Sequence, residues 1–401
     1  MRILISAFAC EPHMGSEPEA GLQAVLAAAS EHEVWVITRQ NHIPRLDEYL
    51  DEHPLRDRIH TVGFDVDGLS RKVEKRIGLV SIHWHHDVWQ RRLAEVAASL
   101  ADNIDFDLVH HATYAAYWTR TGLAAVDKPL VWGPVGGGVT SPLGLLPIMG
   151  LRGAIGDLIR SVSRPMAARV FRARRTARRA AVVIVQNPET ARIIKRTETA
   201  IVLPNALAAA KSVPQIERQS TDDVDHPRIV TAGRLVGWKG TMLAVAAMRH
   251  VHHPRAVLEI YGDGPQRHRL ELYAQKIGVA GRVKVMGQVT REDLLKAISE
   301  ASALVHPSLH EEAGFVVAEA LALATPVVCL DRGGPPVLAR AWESVPSRAI
   351  QPARPRETAR RIGTAIDEVI GERGEPGIGP TPSYAEGLLA AYELSVKSNR
   401  G

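Results

Sequence analysis

Residues 303–330 read ALVHPSLHEEAGFVVAEALALATPVVCL. The segment parses as a strand (ALVHPS), a loop (LHEEAG), a helix (FVVAEALALA) and a second strand (PVVCL). The helical part is Val, Ala, Leu and Phe on every side, so its pattern predicts a buried helix without a polar face. Glu319 sits in the middle of it, and no Lys or Arg lies within a turn or two. A carboxylate withdrawn from water without a partner costs several kcal/mol or more, so Glu319 is expected to hold something from elsewhere in the fold.

The strand–helix alternation extends outward in both directions. Apolar runs recur as RILISAFA, EVWVITR, LVHHA, PLVWGPV and AVVIVQN before residue 206. They recur as RIVTAG, AVLEIYG, RVKVMG, SALVHPS and TPVVCLD after it. Amphipathic stretches such as EAGLQAVLAAAS and REDLLKAISEA separate them. Near-continuous apolar strands between helices predict parallel sheets covered on both faces, five strands in each half. A chain of 401 residues is too long for one core and suits two. The polar stretch LAAAKSVPQIERQSTDDVDHPR marks the boundary. The expected division is therefore 1–206, 207–383, and a closing helix over 384–401 that crosses back to the first domain.

Composition is that of an ordinary globular protein, with 45% hydrophobic and 23% charged residues. No apolar run approaches the length of a membrane span, and RILISAFA is too short for a signal peptide and reads as a strand. Cys10 and Cys329 show no metal-ligand spacing, which predicts free, reduced thiols in a cytoplasmic protein.

In TAGRLVGWKG, a strand ends at Gly233 and Arg234, and a loop leads to Lys239 and Gly240 at a helix start. Two cations thus converge at a strand's carboxyl end and a helix N-terminus, a place that suits a diphosphate, although a pair of solvated turn cations has the same pattern. IYGDGPQRHRLE gives a further strand, a turn at Gly262 and Gly264, and a helix. With the Glu-x7-Glu pair formed by Glu311 and Glu319, these motifs resemble the retaining GT-B glycosyltransferases of family 4, the glycosyl transferases group 1. The resemblance is specific over the C-terminal half and looser over the first. It implies an α/β GT-B fold, two Rossmann-like domains facing across a central cleft. It also implies transfer of a sugar from a nucleoside diphosphate to an acceptor hydroxyl, a hexosyltransferase of class EC 2.4.

Carried onto this chain, the resemblance makes Arg234 and Lys239 the diphosphate grip. Glu311 becomes the donor-sugar contact and Glu319 the acceptor of two ribose hydroxyl hydrogens. Gly233, Gly262, Gly264, Ala313, Gly314 and Phe315 would complete the donor site, with Gly15 and Ser16 of the first domain approaching the diphosphate. Arg and Lys neutralise the leaving group, so no metal or other cofactor is expected. The alternatives are a nucleotide-sugar epimerase on the same fold and a catalytically weakened, nucleotide-sugar-binding partner subunit of a glycan assembly complex. No G-x-G-x-x-G follows a strand, which argues against a dinucleotide enzyme.

The first half departs from the family pattern. Gly15-Ser16 stands where two glycines are common, and Ser16 with Glu19 reads equally as a capping box. The strand PLVW runs into GPVGGGVTSP without the sugar-contacting His many relatives carry. Gly136 and Gly137 would present backbone instead. His110 and His111 end the preceding strand and are the acceptor-side candidates, with His111 also a catalytic candidate; both could equally close a strand against a helix. HWHHDVWQ (83–90) lacks a metal constellation. Around 160–179 lies RSVSRPMAARVFRARRTARRAA, whose arginines fall largely on one helical face, with Val162, Met166 and Val170 on the other. It is an ordinary solvated helix or a contact with the membrane's inner face or a lipid-linked acceptor. No aromatic stacking motif accompanies the charge, so nucleic acid is not an expected partner.

Overall fold

The computed structural model describes residues 1–66, 79–170, 173–196, 199–214, 216, 225–375 and 379–398, with backbone alone at 79–83, 169–170 and 173–174. His83, residues 169–174 of the basic segment (Val170 among them), and residues 215 and 217–224 of the interdomain linker thus fall outside the described side chains. The chain divides into two units. The first comprises 1–138, 163–212 and 382–401; the second comprises 139–162 and 213–381. Residues 139–162 therefore belong with the second unit, although they precede the predicted boundary near 206.

The first unit is built on seven strands: β1 (Arg2–Ser6), β2 (Glu33–Arg39), β3 (Ile59–Phe64), β4 (Leu108–His111), β5 (Leu130–Val135), β6 (Val182–Val185) and β7 (Ala200–Val202). All pairings are parallel, in the order β3-β2-β1-β4-β5-β6-β7. The second unit has six: β8 (Arg228–Ala232), β9 (Val257–Tyr261), β10 (Val283–Gly287), β11 (Ala303–His306), β12 (Val327–Leu330) and β13 (Ser347–Ile350). These too are parallel, in the order β10-β9-β8-β11-β12-β13. Each order reverses direction between its first and fourth strands in sequence, which makes β1/β4 and β8/β11 the topological switch points of two Rossmann-type sheets.

All ten predicted strands form, and β3, β7 and β13 are additional. The additions are edge strands. Central strands such as β4, β6, β11 and β12 are buried at every residue because helices cover both faces. The edge strands IHTVGF, AIV and SRAI are mostly half-exposed, so they never had to be continuously apolar.

The first core gathers Leu4, Phe8, Trp89, Leu93, Val109, Trp132 and Val183. In the second, Leu258, Ile260, Val305, Val328 and Ile366 are joined by Leu145 and Met149. The last two explain why 139–162 sorts with the second unit. The closing helix Tyr384–Ser398 buries Tyr384, Leu388, Ala391, Tyr392 and Ser395, a stripe at helical spacing, within the first unit. Its start carries a formed capping box: Glu386 accepts from the Ser383 N–H at 2.8 Å, and Ser383 Oγ accepts from the Glu386 N–H at 3.3 Å.

The capping box expected at Ser16 does not form. The helix Ser16–Ala29 has Gly15 before it, at φ 63°, and makes no side-chain cap; Ser16 itself is left-handed at φ 52°. Glu19 instead accepts the His13 N–H at 2.9 Å and a hydrogen bond from Ser212.

Candidate active site

At the second unit's switch point, two loops leave adjacent strand ends. The β8 loop carries Gly233, Arg234, Trp238 and Lys239; the β11 loop runs from Pro307 to Gly314. They are tied together by the Leu309 N–H donating to the Trp238 carbonyl at 2.7 Å. Gly240, at φ 68°, lies so close to the Pro307 carbonyl that a Cβ there would stand 2.0 Å from its oxygen. Gly262 is held in the same way. It has φ 124° and its missing Cβ would meet the Gly233 carbonyl at 2.1 Å, so it permits strand-end loops to pack.

The two loops bring Lys239 and Glu311 together. Lys239 Nζ donates to Glu311 Oε2 at 2.5 Å, and His306 Nε2, on the last residue of β11, donates to the same oxygen at 3.1 Å. Burial pushes the Glu311 carboxyl up, but the Lys239 charge and the His306 hydrogen bond more than offset it and hold it well below the usual carboxylate range. His306 is buried, and that burial lowers its pKa against the pull of Glu311, so the imidazole is neutral and donates through Nε2. Arg234, in the same β8 loop as Lys239, is exposed, and its guanidinium makes no ion pair among the described residues. Ala313 is buried, and Gly314 takes φ 86° to start the helix Phe315–Ala322. Glu312 is used structurally, accepting the Val139 N–H at 3.1 Å.

Glu319 has a partner that local sequence does not reveal. Arg291, at the start of the helix Arg291–Ser299, donates to its Oε1 from Nη2 at 3.0 Å and from Nε at 3.3 Å. The helix carrying Glu319 is also not buried all round. Val317, Ala318, Ala320 and Leu321 face inward, whereas Phe315, Val316, Glu319 and Ala322 form a half-exposed stripe. Burial raises the Glu319 pKa more than Arg291 lowers it. Oε2 makes no hydrogen bond among the described residues and remains available to a ligand.

Beneath the β11 loop lies a polar cluster the sequence did not suggest. Arg160 Nη2 donates to His310 Nδ1 at 3.0 Å and pairs with buried Asp157, while Ser141 Oγ donates to Asp157 at 3.0 Å. The Trp238 ring stacks on His310 with centroids 5.5 Å apart. Asp157, Arg160 and Ser141 come from 139–162, so this segment braces the residues just before Glu311.

The first unit's switch point differs in kind. His110 is sealed from solvent. The Gly133 carbonyl can only accept, so Nε2 carries the proton and donates to it at 2.8 Å. Nδ1 then accepts from the Tyr392 hydroxyl at 2.8 Å. His111 is equally buried and donates from Nε2 to the Thr113 carbonyl at 3.0 Å. Burial lowers both rings to about 4, so both are neutral. Both nitrogens of His110 are engaged, leaving no atom for an acceptor, and the His111 ring is buried away from solvent. Gly137, at φ 99°, is required by packing, since a Cβ would stand 2.1 Å from the Trp118 ring. Gly136 is held between the Ala115 carbonyl and the Tyr117 N–H. Gly15 is buried in the loop after β1, next to exposed Ser16.

Comparison with known proteins agrees with this architecture. Residues 212–369 match the family of glycosyl transferases group 1. Over 158 residues the chain is 32% identical to the gpi3 subunit of phosphatidylinositol N-acetylglucosaminyltransferase from Schizosaccharomyces pombe, a match covering 39% of this chain and 33% of that one. The chain thus spans about a third of that relative's length. It is 23% identical over 294 residues to the 2-deoxystreptamine glucosyltransferase of Streptomyces kanamyceticus, covering 72% of this chain and 68% of that one. The structure of Anabaena HepE in complex with UDP superposes with a TM-score of 0.53 at 16% identity, over 100% of this chain and 98% of that one. That likeness establishes the GT-B fold of two Rossmann-like domains. The family match falls on the second unit, and the likeness over the whole chain is one of fold.

Proposed function

We propose that the protein is a retaining glycosyltransferase of family 4 that moves a hexose from a nucleoside diphosphate sugar to an acceptor hydroxyl. The acceptor belongs to a glycan, glycolipid or glycosylated metabolite. The observation that carries this reading is the Lys239–Glu311–His306 group at the second switch point, where a doubly wound sheet takes its ligand. Lys239 has three N–H donors and Glu311 uses one, leaving two for a diphosphate oxygen. Arg234 supplies a planar fork beside it. Glu311, kept ionised by Lys239 and oriented by His306, faces the sugar. Glu319 is oriented by Arg291 through Oε1 and offers Oε2 to the ribose hydroxyls.

Charge grows on the leaving diphosphate as the glycosidic bond breaks. Arg234, Lys239 and the backbone N–H groups at Phe315 would stabilise that charge. The departing phosphate then accepts the acceptor's proton, which removes the need for a protein base, and the two cations do the neutralising that a metal does elsewhere. His110 and His111 take no part in this scheme. The relatives named above act on a phosphatidylinositol and on 2-deoxystreptamine by their names, and both are hydroxyl acceptors of the class proposed.

The test is thermal stabilisation by UDP-, GDP-, ADP- and TDP-sugars, with Lys239→Ala and Glu319→Ala beside the wild type. A bound donor well above its dissociation constant raises stability by about 2–4 kcal/mol. One nucleotide series should shift the wild type and neither variant. No shift with any nucleotide, or equal shifts in the variants, sinks the donor-site assignment. Binding without transfer to any acceptor tested would leave the partner-subunit reading in its place.

A further inference from the structure

The helix Gly150–Val170 is built inside out. Asp157, Arg160 and Arg164 are buried or half-buried, whereas the large apolar side chains described on this helix face water. Leu151, Ile155, Leu158, Ile159, Val162 and Met166 are each between 50% and 79% exposed. At 3.6 residues per turn these six positions share a stripe roughly 100° wide. Solvated helices show the reverse arrangement, with apolar residues inward. Scattered exposed apolar residues need no account, but a contiguous face of six on one helix marks a surface that something covers. Leu143, 80% exposed just before this helix, is a further apolar residue near the patch in sequence.

Charge indicates what covers it. From 150 to 179 the sequence has nine arginines and one acid, Asp157, and that acid is buried against Arg160. Arg152 is exposed at the edge of the apolar stripe, and Arg175 and Arg178 are exposed in the following helix Ala173–Arg179. The exposed charge of this segment is thus entirely positive. A protein partner's interface is matched residue by residue and tolerates both signs. An anionic bilayer offers a broad negative surface above an apolar interior, which is complementary to a bare apolar stripe with Arg152 at its edge and no exposed acid in its own helix. Among the described residues no helix is long and apolar enough to cross a membrane, so the geometry is that of a helix lying in the interface.

We infer that the helix over 150–166 docks the protein onto an anionic lipid surface by inserting Leu151, Ile155, Leu158, Ile159 and Val162 below the headgroups. The sequence pattern pointed instead to arginines of 160–179 as the contact. In the structure Arg160 and Arg164 serve the protein's interior, and the apolar face carries the docking, with the remaining cations supplying attraction.

The experiment is vesicle flotation of the full chain with phosphatidylcholine alone and with phosphatidylcholine and phosphatidylglycerol in equal parts. Ile155→Ser/Ile159→Ser is the test variant. Both positions are exposed, so the fold should persist, and an unchanged unfolding transition checks this. The wild type should float with the anionic vesicles, and the variant should bind at least about tenfold more weakly. Ile159→Cys carrying an environment-sensitive dye should shift to the blue on the same vesicles; the two native cysteines are buried and leave labelling to the new one. Equal flotation of variant and wild type overturns the proposal. So does a wild type that floats with neither vesicle yet self-associates in a manner the variant abolishes, because the stripe is then an interface between copies of this chain.

Discussion

The two sheets share a strand order, and at each switch point a strand ends in histidine: LVHH at β4 and ALVH at β11. The two ends do opposite things. His306 turns to a carboxylate that is ionised, partly solvent-accessible and paired with Lys239. His111 turns to the backbone carbonyl of Thr113, and its neighbour His110 is locked between Gly133 and Tyr392 of the closing helix. Topology supplies a crevice in both places, but chemistry requires groups that are charged, oriented and reachable. By that criterion the end of β11 is equipped and the histidine pair at the end of β4 is not.

The largest effect that would break this contrast is kinetic. Lys239→Ala removes a cation aimed at the developing diphosphate charge and should lower kcat/KM by about 10²–10³-fold, roughly 3–4 kcal/mol of transition-state stabilisation. His111→Gln should leave kcat/KM near the wild-type value, once matched for folded fraction. Steady-state rates on the donor found by thermal shift decide it. Comparable losses in both variants would mean that the first switch point also touches the reacting groups, and the buried placement of His111 would then describe a closed state.

A smaller effect sharpens the contrast within the second unit. Glu311 and Glu319 are eight residues apart, and their pKa values move in opposite directions. For Glu311 the folded pKa is depressed, so it stays ionised through mild acid. For Glu319 it is raised, so it is the first of the two to take a proton as pH falls. A protonated carboxyl is a poorer acceptor for a diol, hence nucleotide affinity should weaken on acidification from neutrality, beginning above the usual glutamate range. Glu319→Gln should weaken the nucleotide about tenfold at neutral pH, on the order of one charge-assisted hydrogen bond, and should flatten that pH dependence. A calorimetric titration across pH that shows the same slope in the variant would assign the titration to another group.

How much of this was legible in the sequence follows from what each feature depends on. Central strands are covered on both faces, so continuous apolarity gave away β4, β6, β11 and β12. The edges β3, β7 and β13 have a solvated side, so His60, Thr61 and Arg348 interrupt the pattern. Lys239 and Glu311 each lie in a recognisable local motif, but only the fold brings them to 2.5 Å. Arg291 lies 28 residues before Glu319 and reaches it only because two helices pack side by side. Nor does periodicity tell which face of an amphipathic helix looks outward. The pattern over 160–179 showed an arginine face and an apolar face, and the structure turns Arg160 and Arg164 inward and Val162 and Met166 outward. The Ser16–Glu19 capping box failed for a related reason, since Glu19 had tertiary partners in His13 and Ser212 to prefer, whereas the Ser383–Glu386 box, which was not singled out, formed.

The smallest prediction tests whether the first switch point is sealed. His110 and His111 have folded pKa values of about 4, below the ordinary value of 6.5. The sign follows directly. Between those values the unfolded chain binds a proton that the folded protein refuses, so these rings cost no stability above pH 6.5 and cost increasingly more as pH falls toward 4. At pH 6 the cost is roughly 1 kcal/mol for each ring. Two measurements read it. The ring-carbon resonances of both histidines should keep neutral-form shifts down to about pH 5. The stability gap between wild type and His110→Gln should shrink by roughly 1 kcal/mol on going from pH 8 to pH 6, because only the wild type carries the ring. A His110 or His111 resonance that titrates near pH 6.5 would show water reaching the end of β4. In that case the two switch points differ in the groups they present rather than in access, and the acceptor-side role expected of this pair becomes chemically available again.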